Sequence, residues 1–197
     1  YSDQYDPSLL VAIPRLQTRD FWEPDKLLPF CGSDSWTAYE VSWLNHKAKP
    51  QVACLLLSYD AMTPNIVESK SLKLYLNSFN QTHFDSTDKL IERITADVGK
   101  ITAGKVSVQL HNAVLDEALT VKPWADRCID DMDIAIDQYH IDAQLLQFDK
   151  NIVDDQTLVS HLLRSNCPVT GQPDWASVRI AYRGSKISEE SLLRYIC

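Results

Sequence analysis

Val67-Glu68-Ser69-Lys70-Ser71-Leu72-Lys73-Leu74-Tyr75-Leu76-Asn77-Ser78-Phe79-Asn80 is where the chain changes its period, and that change decides the fold. Leu72, Tyr75, Leu76 and Phe79 fall at i, i+3, i+4 and i+7, the apolar stripe of a helix from about Ser69 to Asn80. Upstream, Val52 to Tyr59 is a continuous apolar run, and Trp36 to Asn45 is rich in aromatic and β-branched residues. His46-Lys47-Ala48-Lys49-Pro50 between them supplies a turn, so the two runs make a β-hairpin. Downstream, a second helix from about Ser86 to Thr102 puts Leu90, Ile94, Val98 and Ile101 on one face, with Ser86 and Thr87 as caps. Val106, Val108 and Leu110 then alternate as a strand, and Ile134 and Ile136 alternate in another. The order β-β-α-α-β-β lays two helices on one antiparallel sheet, an α+β layer.

Working outward, residues 1–34 read as an irregular arm, because Pro7, Pro14, Pro24 and Pro29 break any periodicity. A first module is expected over 35–150, and from Thr157 a similar unit begins again. Thr157 to Ser165 fits strand or helix by periodicity. Strand is favoured, because the Asn166 to Ala176 loop then joins it to Ser177–Arg183, where Val178, Ile180 and Tyr182 alternate. Pro50 precedes Tyr59 by nine positions and Pro173 precedes Tyr182 by nine. After each pair comes a helical phrase, Ser71-Leu72-Lys73-Leu74-Tyr75-Leu76 and Ser191-Leu192-Leu193-Arg194-Tyr195-Ile196. This points to a tandem duplication whose second copy, 151–197, is incomplete in this chain. A half-copy cannot bury its own apolar face, so further chain or a partner is expected to cover it.

The 197 residues are 45% hydrophobic and 23% charged, enough for a buried core in a soluble globular chain. A net charge of −8 argues against nucleic acid as a partner, since phosphates need a basic surface. There is no apolar run long enough for a bilayer and no leader-like start, so no membrane partner is expected. Cys31, Cys54, Cys128, Cys167 and Cys197 are an odd set without a CxxC pair, which fits thiols in a reducing cytoplasm.

Ser165-Asn166-Cys167-Pro168-Val169-Thr170-Gly171-Gln172-Pro173-Asp174-Trp175 sets a thiol seven positions before a carboxylate in a stiff loop. A buried Cys is the ordinary reading of a lone thiol, but the polar flanks favour partial exposure and catalysis. Cys167 is then a nucleophile for a carbon electrophile, and Asp174 takes the thiol proton and returns one to the substrate. Glu68-Ser69-Lys70 admits two readings. In one, Ser69 is the helix N-cap and Glu68 complements the helix dipole. In the other, the helix N–H groups and Lys70 attract a phosphate, while Glu68 accepts from the donor edge of a purine-like base. Asp130, Asp131, Asp133 and Asp137 are read as a solvated strand face rather than a metal site, and no metal is expected. His161 has no second ligand at zinc spacing. Trp36, Trp43 and Trp175 are read as core residues. With five glycines and no glycine-rich fingerprint, a Rossmann fold fails.

Together the two phrases resemble the QueF family, the NADPH-dependent 7-cyano-7-deazaguanine reductases, in its longer two-module type. Glu68 to Thr82 matches the family's E-S-K-S-x-K-L-Y-L-N-S-F-N-Q-T, and Ser165 to Trp175 matches S-N-C-x-x-T-x-Q-P-D-W. Trp36 to Asn45, Cys128-Ile129-Asp130-Asp131 and Leu158 to Leu163 are also family-like. The resemblance implies tandem tunnelling-fold (T-fold) modules, each an antiparallel sheet backed by two helices, and a cytoplasmic homodimer. It implies that Cys167 forms a covalent thioimide with the nitrile, with Asp174 as proton donor, and that NADPH reduces it to the aminomethyl group in queuosine biosynthesis. Val67, Glu68 and Ser69 would contact the deazaguanine, and Ser69 and Lys70 the NADPH. The family's later His-Glu and Arg-Gly pairs have no counterpart here. Two other classes compete: a GTP cyclohydrolase I-like zinc enzyme, which needs histidines this loop lacks, and a non-catalytic deazapurine-binding module.

Overall fold

The computed structural model describes residues 2–19, 29–111, 122–167 and 171–197, and its contacts divide the chain into two compact units, Tyr1–Thr120 and Val121–Cys197. Residues 121–150, expected with the first module, fall in the second unit. Pro24, and Pro168 to Thr170 of the cysteine loop, lie outside the described residues.

The first unit opens with a short strand, β1 (Ala12–Pro14), followed by the expected hairpin of β2 (Ser33–Leu44) and β3 (Pro50–Asp60). β4 (Asn65–Val67) pairs antiparallel with β1, leads into α1 (Ser69–Asn77) and α2 (Thr87–Thr102), and β5 (Val106–His111) joins β3. The sheet order is β2-β3-β5, antiparallel throughout. Val41, Leu55, Leu57 and Tyr59 alternate inward from the sheet, while Val52 faces out at 62% exposure. Against them pack Leu72, Tyr75 and Leu76 of α1, Phe79, and Leu90, Ile94 and Val98 of α2. Each such burial contributes roughly 1.5–3 kcal/mol, and this is what holds the helices on the sheet. Two positive-φ residues shape the connections, Ala48 in the hairpin turn and Ala103 behind α2. Gly104 follows because a Cβ there would meet the Thr63 methyl at 2.4 Å.

The second unit holds β6 (Arg127–Cys128), β7 (Phe148–Asn166), β8 (Pro173–Ile187) and α3 (Glu189–Ile196). β7 and β8 form a long antiparallel hairpin, and β6 lies parallel to β7 on its other side. Ile129, Leu158, Leu192, Leu193 and Ile196 form its core. Among the described residues the architecture is therefore mixed α+β, with largely antiparallel sheets and three α-helices.

One hydrogen-bond scheme recurs in both units. Asp6 caps a 3-10 turn at Pro7–Leu9 and Asp142 caps one at Ala143–Leu145. The Ser71 hydroxyl donates to Glu68 O (2.7 Å) and accepts from Val11 N (3.1 Å); Ser191 does the same with Ser188 O (2.8 Å) and Gln147 N (3.0 Å). The Tyr59 hydroxyl accepts from Val67 N at 3.3 Å, and the Tyr182 hydroxyl from Ile187 N at 3.0 Å. β2 slips register between Ala38 and Val41, and β7 between Ser160 and Leu163.

Several expectations need correction. The arm is not wholly irregular: Leu10 is buried, and β1 is laddered to β4. Ile134 and Ile136 are not in a strand. The Ile134 amide turns back onto Met132 O at 3.0 Å, while the Ile134 side chain packs on the second core. Alternation over three positions sets which side chains are covered but not whether the backbone finds a ladder partner. The Asp130–Asp137 carboxylates accordingly do not line a strand. Helix α1 ends at Asn77, with Ser78 at the cap and a turn over Phe79 and Asn80. Trp43 is a core residue and Trp36 is half-buried, but Trp175 is 61% exposed because its place in β8 lies near the turn of the hairpin, away from the Leu158 core.

Candidate active site

The second-unit phrase closes the β7–β8 hairpin. Ser165 stands opposite Asp174 and Asn166 opposite Pro173. The same register carries on to Cys167, whose amide donates to Gln172 O at 2.8 Å. Gly171 then folds back, its amide donating to Cys167 O at 2.8 Å, with φ at +69°, where an L side chain would be strained. Side chains alternate along a strand, and directly paired residues share a face. Cys167 therefore lies on the face of Ser165 and of Asp174, as a diagonal neighbour; such pairs have Cα atoms roughly 7–8 Å apart. That spacing leaves room for a substrate atom between sulfur and carboxylate. The thiol is partly exposed and the carboxylate exposed. A cavity of about 630 Å³ borders the hairpin and is lined by Ser165, Asn166 and Cys197, but neither Cys167 nor Asp174 is among its lining residues.

In the first unit, Val67 to Lys70 form the junction of β4 and α1. The N-cap is Glu68, not Ser69. Its φ of −71° and ψ of 132° are extended, and its two carboxylate oxygens accept from Lys70 N (2.9 Å) and Ser71 N (2.6 Å). A glutamate is long enough to reach both amides. Burial works against the charge on Glu68. The Lys70 and Ser71 amides, the Ser69 hydroxyl and the Lys70 charge outweigh it and hold the carboxyl below its ordinary value. The result is a fixed anion at the helix start. Oε1 also accepts from the Ser69 hydroxyl at 3.3 Å, so it is Oε2 that keeps a lone pair for a further donor.

Val67 is 1% exposed, so it belongs to the core, and its amide donates to the Tyr59 hydroxyl at 3.3 Å. Ser69 and Lys70 are exposed, at the open end of the junction. Ser69 also lines a cavity of about 440 Å³ between α1 and β2, together with Lys73, Leu72, Trp36, Tyr39 and Glu40. The composition and motifs did not point to this cavity. It lies where β2 slips register between Ala38 and Val41, a feature a sequence does not display. For a dinucleotide, the exposed Lys70 and the cavity-lining Lys73 supply local positive charge in an otherwise acidic chain, and Ser69 a hydroxyl. This donor set fits phosphate oxygens.

With this geometry established, comparison with known proteins is informative. Residues 1–110 match the family model described as nitrile reductase, 7-cyano-7-deazaguanine-reductase N-term. A Chromobacterium violaceum protein named NADPH-dependent 7-cyano-7-deazaguanine reductase is 45% identical over 197 residues, covering all of this chain and 71% of that protein. A Hydrogenovibrio crunogenus protein of the same name is 44% identical over 198 residues, again with 71% of its length covered.

Proposed function

The chain belongs to the QueF family of nitrile reductases, and from that premise we propose that it serves the NADPH-dependent reduction of 7-cyano-7-deazaguanine to its aminomethyl product, a step of queuosine biosynthesis. Cys167 is the nucleophile. Its sulfur bonds to the nitrile carbon, the thiol proton passes to Asp174, and Asp174 returns a proton to the nitrile nitrogen, leaving a thioimide on sulfur. Addition converts an inert triple bond into a reducible C=N. The single observation that carries this reading is the hairpin register that gives Cys167 and Asp174 one face.

Glu68 accepts N–H donors of the base, Ser69 adds its hydroxyl and Val67 its backbone. Ser69 and Lys70 would hold NADPH, two equivalents of which would supply the two hydrides that nitrile-to-aminomethyl reduction requires, with the Cys167 sulfur leaving as the thiol between them to release an imine. The repeated hydrogen-bond scheme supports two T-fold modules, one within residues 35–120 and the other within 121–197, preceded by an arm. Two such chains form a homodimer, and the work is done in the cytoplasm. Among the described residues no helix is long and apolar enough to cross a membrane.

The test is intact mass after mixing the chain with 7-cyano-7-deazaguanine in the absence of NADPH. An adduct of the substrate's mass is expected, absent in Cys167→Ala and slowed in Asp174→Asn with base binding retained. Base binding without any adduct on the unaltered chain would leave a deazapurine-binding module and remove the catalytic reading.

A further inference from the structure

The two units differ at one place where their repeat says they should agree. In the second unit, the segment from Arg127 to Asp130 is seated on the outer edge of β7, with Arg127 beside Leu158 and Cys128 beside Val159 in parallel register. Ile129 N donates to Val159 O at 3.0 Å, and His161 N donates to an Asp130 carboxylate oxygen at 2.9 Å. Arg127 pairs with Glu189 at 2.9 Å. Ile129 itself is 1% exposed, packed with Leu158, Leu192, Leu193 and Ile196.

Every part of that seat has a counterpart in the first unit. Tyr59 stands opposite Asp34 and Tyr182 opposite Gln156, and the register slips follow at the same interval. This aligns Leu158, Val159 and His161 with Trp36, Thr37 and Tyr39. The Ser71 and Ser191 caps likewise align Glu189, Leu192, Leu193 and Ile196 with Ser69, Leu72, Lys73 and Leu76. All seven of these first-unit residues line the cavity of about 440 Å³. What Ile129 packs solid in one unit is open in the other. Among the described residues, no strand pairs with β2 along Trp36 to Tyr39 other than β3.

We propose that this cavity is a docking groove for an extended segment, which adds in parallel to the edge of β2 and inserts one branched apolar side chain between Trp36, Leu72 and Leu76. The Thr37 carbonyl and the Tyr39 amide take the places of Val159 O and His161 N. Edge addition of this kind draws its affinity from main-chain hydrogen bonds and its selectivity from the pocket. The occupant is a stretch of the same polypeptide in a longer form. Ile129 precedes the turn-capping Asp142 by thirteen residues, and the same interval before Asp6 falls eight residues ahead of Tyr1. The relatives are longer than this chain, which covers 71% of them. No glutamate stands where Glu189 does, since Ser69 holds that place, so an arginine in the occupant is not required.

The probe is a fluorescent peptide copying residues 124–133, titrated into the 197-residue chain. Saturable binding is expected, weakened about tenfold or more by Ile129→Asp in the peptide. Ser69→Glu in the chain should tighten the peptide severalfold, and Arg127→Ala in the peptide should cancel that gain. Grafting residues 124–136 directly ahead of Tyr1 puts the copied isoleucine at the required position and should abolish binding in trans. No saturable binding, or binding indifferent to the graft, would overturn the proposal. Sedimentation showing a chain dimer that the peptide dissociates would also overturn it, by making a second copy the occupant.

Discussion

At the scale of single residues, Glu68 carries two duties that a substitution can separate. It caps α1 through both carboxylate oxygens, and it is the anion proposed to meet the base. Glu68→Ala should cost about 1 kcal/mol of stability by freeing two helix amides. Glu68→Ser installs the residue that caps α3, where the Ser188 hydroxyl accepts from Ser191 N at 3.3 Å. Its melting temperature should return toward the unaltered value, while base binding stays lost because the hydroxyl carries no charge and is shorter. If Glu68→Ala melts below Glu68→Ser but both still bind the base, Glu68 is a cap alone. The pH dependence has a definite sign. The folded carboxyl sits below its ordinary 4.5, so its stabilisation is complete above that value and is lost as pH falls through the lower, folded one. The melting difference between the unaltered chain and Glu68→Ala should therefore hold from neutral pH down to the ordinary value and shrink in stronger acid.

At the scale of elements, the serine that locks each helix start to the arm before it is the most transferable feature. Ser71 ties Val11 to the Glu68 carbonyl, and Ser191 ties Gln147 to the Ser188 carbonyl. Both serines are 4% exposed, so removing either hydroxyl strands an amide with little water to replace it. Ser71→Ala and Ser191→Ala should each cost about 1–3 kcal/mol, with faster hydrogen exchange at Val11 in the first and Gln147 in the second. Exchange unchanged at both amides would mean these bonds do not order the arms. In the sequence this device shows only as two serines in similar helical phrases. The hairpins and the stripes Leu72, Tyr75, Leu76 and Leu90, Ile94, Val98 were legible because periodicity is a property of the residues themselves. The Ser86 cap of α2 was legible too, and the α1 cap was misplaced by one residue, Glu68 for Ser69; the register slips and the coil at Ile134 were not legible, because a strand is decided by ladder partners distant in sequence. The exposure of Trp175 was illegible for the same reason: apolarity reports what a side chain prefers, and topology decides what covers it.

At the scale of the whole molecule, the five cysteines sample both units and offer one readout of the proposed chemistry. The sequence made Cys167 stand out by its loop, but its partnership with Asp174 rests on β7–β8 register, which only the folded hairpin supplies. Thiol reactivity follows access and thiolate fraction together. Cys54 is 3% exposed, with its sulfur 3.2 Å from Tyr39 O. Burial, and then the charge of Asp130, push the Cys197 thiol above its ordinary value, with Arg164 opposing in part. Cys31 is exposed and Cys167 partly so. A short pulse of iodoacetamide at neutral pH should therefore mark Cys31 and Cys167 first, Cys54 and Cys197 last, with Cys197 catching up as the pH rises. Adding the nitrile before the pulse should erase the mark on Cys167 and leave Cys31 labelled as before, since only a sulfur already bonded to carbon is protected. Equal labelling of Cys167 with and without the nitrile, read by peptide mass, would mean that the hairpin thiol does not capture the substrate, whatever face it shares with Asp174.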